Sequence, residues 1–331
     1  MSRFCKISKT KRLRQRMFFQ YNKAAYTNAA RLGEALLRAH ANHNSTDTSA
    51  YEDDLYNVAL ASGAAKRVNR AIELYIESIR RAFMRDGVSL VIAARLSNLA
   101  ALLSVYDQHE SACRIFMQAI TIRKQLLYCN HPELGDAFYN MGNALIRAGR
   151  YHDAVPALKN ALHIYIKSGS DNFINCLHAV ASAYESLKEY HNAIPFAEAA
   201  WHGLADIDQD EHYRAGYYLA GLYEATNRHN DACKLYFSII EWVEKTVGCF
   251  HSGYINLTAK AASQLVKLGK YQQSKDVLSK LSKLIEGKVG HNNLTYANCI
   301  KNLAIIHRHL GEWDEAEAVL RNLHESDKLK P

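Results

Sequence analysis

Little in this chain points to chemistry. Its 331 residues contain no Cys-x-x-Cys, no His-Glu-x-x-His, no phosphate-binding glycine loop and no Gly-x-Ser-x-Gly. The commonest zinc, nucleotide and serine-hydrolase arrangements are therefore absent. Proline is scarce, at 4, which suits uninterrupted helices. No apolar run approaches the roughly 20 residues that span a membrane. Phe18-Phe19 is flanked by Arg16 and Gln20, so no signal-peptide core forms there. Acidic residues are missing from positions 1–33, which hold nine Lys/Arg. The remaining chain has 32 basic against 33 acidic groups, so the formal charge of +8 belongs to the head. Three readings fit that head: a solvated basic end, an Arg-rich mitochondrial presequence, and an anchor for nucleic acid or another anionic surface. The rest of the chain offers no second basic stripe with interleaved aromatics, so nucleic acid is not the leading choice.

Seven cysteines form no disulfide framework. Cys113 and Cys129 recur, at the same spacing, as Cys233 and Cys249. Along one helix, 16 residues span about 24 Å. A bridge needs about 4.4–6.8 Å between Cα atoms. The cysteines read as small buried residues in a reducing compartment. His40 and His43 are close enough to share a helix face. No carboxylate or Cys stands at ligand spacing, so neither a metal nor another cofactor is expected. His307 reads as a packed, hydrogen-bonded residue, and His131 and His251 as caps at the mouths of helices.

What the chain does have is a period. A small residue, a gap of nine, a turn residue and a second small residue three further on recur seven times. The last small position falls at 71, 112, 154, 193, 232, 274 and 316, in steps of 39 to 42. A fixed period near forty means a stacked array. Each copy reads as two helices. Positions 59, 100, 142, 181, 220, 262 and 304 hold only Ala or Gly, which lets two helix backbones approach. Aromatics at 151, 190, 271 and 313 would fill the gap at the turn. Neither of the first two copies has an aromatic at the turn, and the stretch 62–65 (Ser-Gly-Ala-Ala) reads as a loose loop. An eighth, partial unit precedes them at Ala29, without a recognisable first helix. The boundaries expected are a basic head over 1–20, separable from the rest, a helix or partial repeat with a polar loop over 21–50, seven repeats over 51–324, and a tail over 325–331.

The runs Asn140-Met-Gly-Asn-Ala-Leu-Ile-Arg-Ala-Gly-Arg-Tyr-His-Asp-Ala154 and Lys301-Asn-Leu-Ala-Ile-Ile-His-Arg-His-Leu-Gly-Glu-Trp-Asp-Glu-Ala316 resemble the tetratricopeptide repeat in its long, kinesin-light-chain form. His131-Pro132-Glu133 matches that form's lead-in to a first helix, with Pro at a position where its missing N–H is no loss. The resemblance implies an all-α, right-handed superhelical solenoid of antiparallel helix pairs. It also implies a concave groove, lined by the first helices, that takes an extended or helical partner segment.

One inward position per unit holds Asn57, Asn98, Asn140, Ala179, Tyr218, Lys260 and Asn302, and four amides in seven copies is a pattern. An amide donates and accepts, so it can pair with any peptide backbone. Neighbouring inward positions add Tyr139, Arg214, Tyr217, Asn298 and Lys301. With Lys267 and Arg308 these make the later units basic, which calls for a partner that is acidic in part. The function expected is a non-catalytic protein-interaction scaffold in the cytoplasm, with association between copies left open. The alternatives are a mitochondrial assembly factor delivered by the head, and a sensor whose pitch responds to a bound peptide.

Overall fold

In the computed structural model of the chain, residues 2–42, 46, 48–205, 209–246, 248–249, 252–289 and 294–328 are described. His43 and His251 lie outside them. Sixteen helices are found among these residues, and no strand. They form antiparallel pairs of the tetratricopeptide type, and the chain divides into two compact units, residues 1–183 and 184–331.

The first unit holds α1 (Ser2–Asn22), α2 (Tyr26–Ala41), α3 (Ser49–Ala64), α4 (Val68–Asp86), α5 (Leu90–Val105), α6 (His109–Leu126), α7 (Pro132–Arg147), α8 (Tyr151–Ser168) and most of α9 (Phe173–Ser186). Two caps follow from sequence. Thr48 Oγ1 accepts from the backbone N–H of Tyr51 at 3.3 Å, and His131 Nδ1 accepts from Glu133 N at 3.2 Å, with Pro132 opening α7. Each satisfies a donor that the first turn of a helix leaves orphaned. The stretch 62–65 is not a loose loop: α3 runs through Ala64, and Lys66 makes the turn.

The second unit holds the end of α9 with α10 (Tyr190–Leu204), α11 (Gln209–Ala225), α12 (His229–Thr246), α13 (Ser252–Lys267), α14 (Tyr271–Val289), α15 (Leu294–His309) and α16 (Trp313–Lys328).

All eight intra-pair turns share one device. The residue five before the second small position has positive φ: Ala24, Lys66, Asp107, Gly149, Lys188, Asn227, Gly269 and Gly311. That left-handed residue reverses the chain in a single tight step.

The small-residue row works as its spacing implies. A Cβ on Gly142 would lie 2.5 Å from Leu158, so glycine there admits the leucine of the facing helix. The first pair reverses the arrangement. Its equivalent of Gly142 is Met17, buried at 1% exposure, and its equivalent of Leu158 is Gly33. A Cβ on Gly33 would meet Met17 Sδ at 3.2 Å and Val58 at 2.7 Å. The large side chain comes from α1 instead of the second helix, so α1 is the missing first helix of an eighth pair. Residue 20 falls in its last turn.

Not every turn aromatic fills its own gap. Tyr271 instead stacks on His309 of the next pair, with ring centroids 4.6 Å apart and planes 6° apart. Trp313 is 66% exposed. Of the cysteines, Cys113, Cys176, Cys233 and Cys299 are buried and unbridged, Cys129 is exposed and Cys249 is half-buried in the short turn after α12. Burial pushes the Cys176 thiol up to about 12, and its S–H donates to Leu158 O at 3.2 Å.

Candidate partner-binding faces

The first helices carry the polar and aromatic residues that the spacing placed on one face. Each compact unit presents its own set.

In residues 1–183, α3, α5 and α7 supply them. Asn98 Nδ2 donates to Tyr56 Oη at 2.5 Å, so the amide bridges adjacent pairs. Behind it the Tyr56 ring meets Tyr75 edge to face at 5.9 Å, and the Arg95 guanidinium lies 5.6 Å over Tyr56. Burial raises the Tyr56 hydroxyl pKa, while Asn98 and Arg95 oppose that. Arg95 itself is 2% exposed, donating to Ser78 O at 2.8 Å and to Asp53 Oδ1 at 2.8 Å. Asn57 is half-buried in a small apolar cleft with Met17, Phe18, Tyr21, Leu60 and Ala61. Tyr139 meets Tyr165 edge to face at 6.3 Å, and Tyr165 Oη donates to Asp136 at 2.7 Å. Asn140 is exposed on the same helix.

In residues 184–331 the same geometry recurs with different chemistry. Tyr217 and Tyr236 repeat the Tyr56–Tyr75 spacing and meet edge to face at 6.2 Å. Lys260 takes the place of Asn98. Its ammonium lies 5.4 Å from the Tyr217 ring and 5.8 Å from Tyr236, at cation–π range. It also sits 3.6 Å from Glu224, which accepts from the Tyr236 hydroxyl. Lys260 is therefore partly neutralised within the chain. Arg214 pairs with Glu211 at 3.1 Å, one turn away. Tyr218 is half-buried, and burial and Glu185 raise its pKa. Asn298, Lys301, Asn302 and Arg308 are exposed on α15. His307, at the end of that helix, has Nδ1 2.6 Å from Glu312, as a packed histidine should.

Several residues of these faces lay beyond sequence reasoning. Asp53, Arg95 and Glu224 sit in no motif, and buried Arg123 anchors Ser97 at 2.9 Å. The shared signal is a 19-residue Tyr–Tyr spacing, at 56/75 and 217/236. His40 is buried with Nε2 2.8 Å from Asp54, so it is committed to a carboxylate within the fold.

The family described as "Tetratricopeptide repeat" matches residues 90–167 and again 299–331. The Arabidopsis thaliana protein KINESIN LIGHT CHAIN-RELATED 3 is 27% identical over 106 residues, which is 31% of this chain and 16% of that protein. Among solved structures, a putative kinesin light chain with nearly identical repeats, from Podosopora anserina, gives a TM-score of 0.50 at 18% identity. It covers 61% of this chain and 98% of that one. RapI in its apo form gives 0.52 at 12% identity, covering 95% and 99%. A signal-transduction ATPase from Pyrococcus horikoshii with a tetratricopeptide repeat sensor gives 0.55 at 13% identity, covering 90% and 44%. At these identities the likenesses speak for the fold.

Proposed function

We propose that this tetratricopeptide-repeat protein, whose units have the long kinesin-light-chain-like form, is a non-catalytic scaffold. It holds extended or helical segments of partner proteins against its first helices. The observation that carries this reading is the repeated Tyr–Tyr step with a polar residue leaning on it from the next pair, Asn98 on Tyr56 and Lys260 on Tyr217. Tyr217 stays 38% exposed. A ring held at one edge and open at the other offers a preformed apolar contact with little entropy left to lose, and the adjacent amide or ammonium orients a backbone carbonyl or carboxylate. Exposed Lys301 and Arg308 favour acidic residues in the segment bound near α15.

The presequence alternative fits less well. Cleavage within or after α1 would strip Met17 and Arg14 from the first helix pair. No described helix is long and apolar enough to cross a membrane.

The experiment is crosslinking of the whole chain to captured partners, peptide mapping, and titration of the mapped peptide against variants. Tyr217→Ala should weaken binding by about 1–2 kcal/mol, the scale for an interface anchor. Lys301→Glu with Arg308→Glu should slow association and reduce the salt dependence. A mapped peptide that binds both variants like the parent rules the first-helix face out.

A further inference from the structure

α1 carries a row that breaks the rule of every other first helix. Aligned on the second small position, Lys9, Arg12, Arg16 and Phe19 of α1 correspond to Tyr51, Asp54, Val58 and Ala61 of α3. In α3 that row lies against the preceding second helix. His40 of α2 reaches Asp54 at 2.8 Å and meets the Tyr51 ring at 5.2 Å, and Gly33 faces Val58. The same row does the same work elsewhere: Arg95 donates to Ser78 O, Cys176 to Leu158 O, and Cys299 to Leu278 O at 3.5 Å. In all seven other first helices the row is buried or half-buried. On α1 it is exposed, with Phe19 at 56% and Lys23 Nζ 4.5 Å over its ring. Among the described residues no helix covers it.

We propose that this row is a docking face for an acidic helix of a partner protein. The site is distinct from the Tyr–Tyr steps, and its fate does not depend on theirs. The occupant follows from two features. The positions 9, 12, 16 and 19 alternate steps of three and four, the spacing with which one helix seats another. Three of the four residues are cations, and no carboxylate lies in residues 1–33 to neutralise them. A complementary helix therefore presents Glu or Asp opposite Lys9, Arg12 and Arg16, and an aliphatic side chain opposite Phe19. The opposite face of α1 is fixed by Met17 and by Arg14, whose guanidinium grips Asp54 at 2.6 and 2.7 Å, so the row is held rigid before binding. A membrane surface is a poorer match, because Phe18 and Phe19 are the only large apolar residues exposed along residues 9–23.

The test uses the full chain and two labelled peptides of one composition. One is helical with Glu and Leu at the complementary spacing, the other has the order scrambled. The ordered peptide should bind in a salt-dependent way. Arg12→Glu with Arg16→Glu should weaken it about tenfold or more, and Phe19→Ala should weaken it less, with melting unchanged in both. Arg12→Gln with Arg16→Gln should fall between parent and reversal. Equal binding of the scrambled peptide overturns the proposal, as does a reversal variant that binds like the parent. So does finding that a single-stranded RNA, or phosphatidylserine vesicles, bind through Arg12 and Arg16 while the ordered peptide does not.

Discussion

Eleven residues beyond the second small position, the second helices of residues 1–183 carry His40, Arg123 and Tyr165, all buried, and those of residues 184–331 carry Leu204, Val243 and Ile285. Each polar side chain in the first set reaches a first helix. His40 meets Asp54, Arg123 donates to Ala93 O at 3.2 Å and Ser97, and Tyr165 donates to Asp136. Ala82 is the exception in that unit, and there Arg95 reaches back from the next helix instead. The second unit places aliphatic side chains at this position and sets comparable polar ties elsewhere, Tyr223 with Glu198 and the fully buried Tyr236 with Glu224. Buried charge is a poor source of net stability but a strict enforcer of alignment, because a shifted helix would strand it. At this one position the amino-terminal unit is aligned by polar pairing and the carboxy-terminal unit by apolar packing.

The two units can be watched separately, since all three tryptophans, Trp201, Trp242 and Trp313, lie in the second. Asp54→Ala should have the largest effect. It leaves the Arg14 guanidinium, itself a third exposed, without its bidentate partner and the buried His40 without its carboxylate, a loss of about 2–3 kcal/mol on the scale of hydrogen bonds to charged groups. The far-UV dichroism transition should split or move down in urea while tryptophan fluorescence keeps its midpoint. A common shift of both probes would mean the units unfold as one and the contrast has no thermodynamic content. Removal of residues 1–20 should act in the same direction, through Met17 and Arg14. A truncated chain with the parent's dichroism transition would show the head to be separable.

Gly142→Leu comes next, at about 1–3 kcal/mol for overpacking, again in the dichroism signal alone. Alkaline pH should act the other way round. Burial raises the phenols of Tyr56, Tyr75 and Tyr165 in the first unit, and those of Tyr213, Tyr218, Tyr223, Tyr236, Tyr254 and Tyr296 in the second. A raised pKa means the folded state holds its proton more tightly than the unfolded chain. Stability is then intact below the ordinary phenol value of 10.0 and falls as pH climbs beyond it. With six such groups against three, the tryptophan transition should weaken first. Gly221→Ala has the smallest effect and the opposite sign. Nothing lies within 4 Å of the added methyl, and the exchange should stabilise the second unit by up to about 1 kcal/mol.

Seven pairs were legible in the sequence because one small residue per first helix marks each of them. The eighth was hidden by Met17, whose bulk is admitted by Gly33 on the partner helix, and no scan for a small first-helix residue detects that exchange. On the candidate faces, the Asn row was visible as a register. That Asn98 is tied to Tyr56, and Lys260 to Tyr217 and Glu224, depends on how one pair leans on the next, and spacing within a repeat carries no such information. Asp54 shows the same limit: adjacent acids at 53 and 54 look alike in sequence, yet one is 67% exposed and the other 0%.

Five of the eight turns place a residue other than glycine in the left-handed region, Ala24 among them. For an alanine that conformation costs about 1 kcal/mol or more. The joint keeps one geometry whichever residue occupies it, so the walls on either side impose the bend and the hinge residue merely tolerates it. A copied segment can then drift freely at its hinge and still fold back at the same angle. Each tolerated alanine or lysine is also a place where glycine would make the joint relax into the shape it already holds.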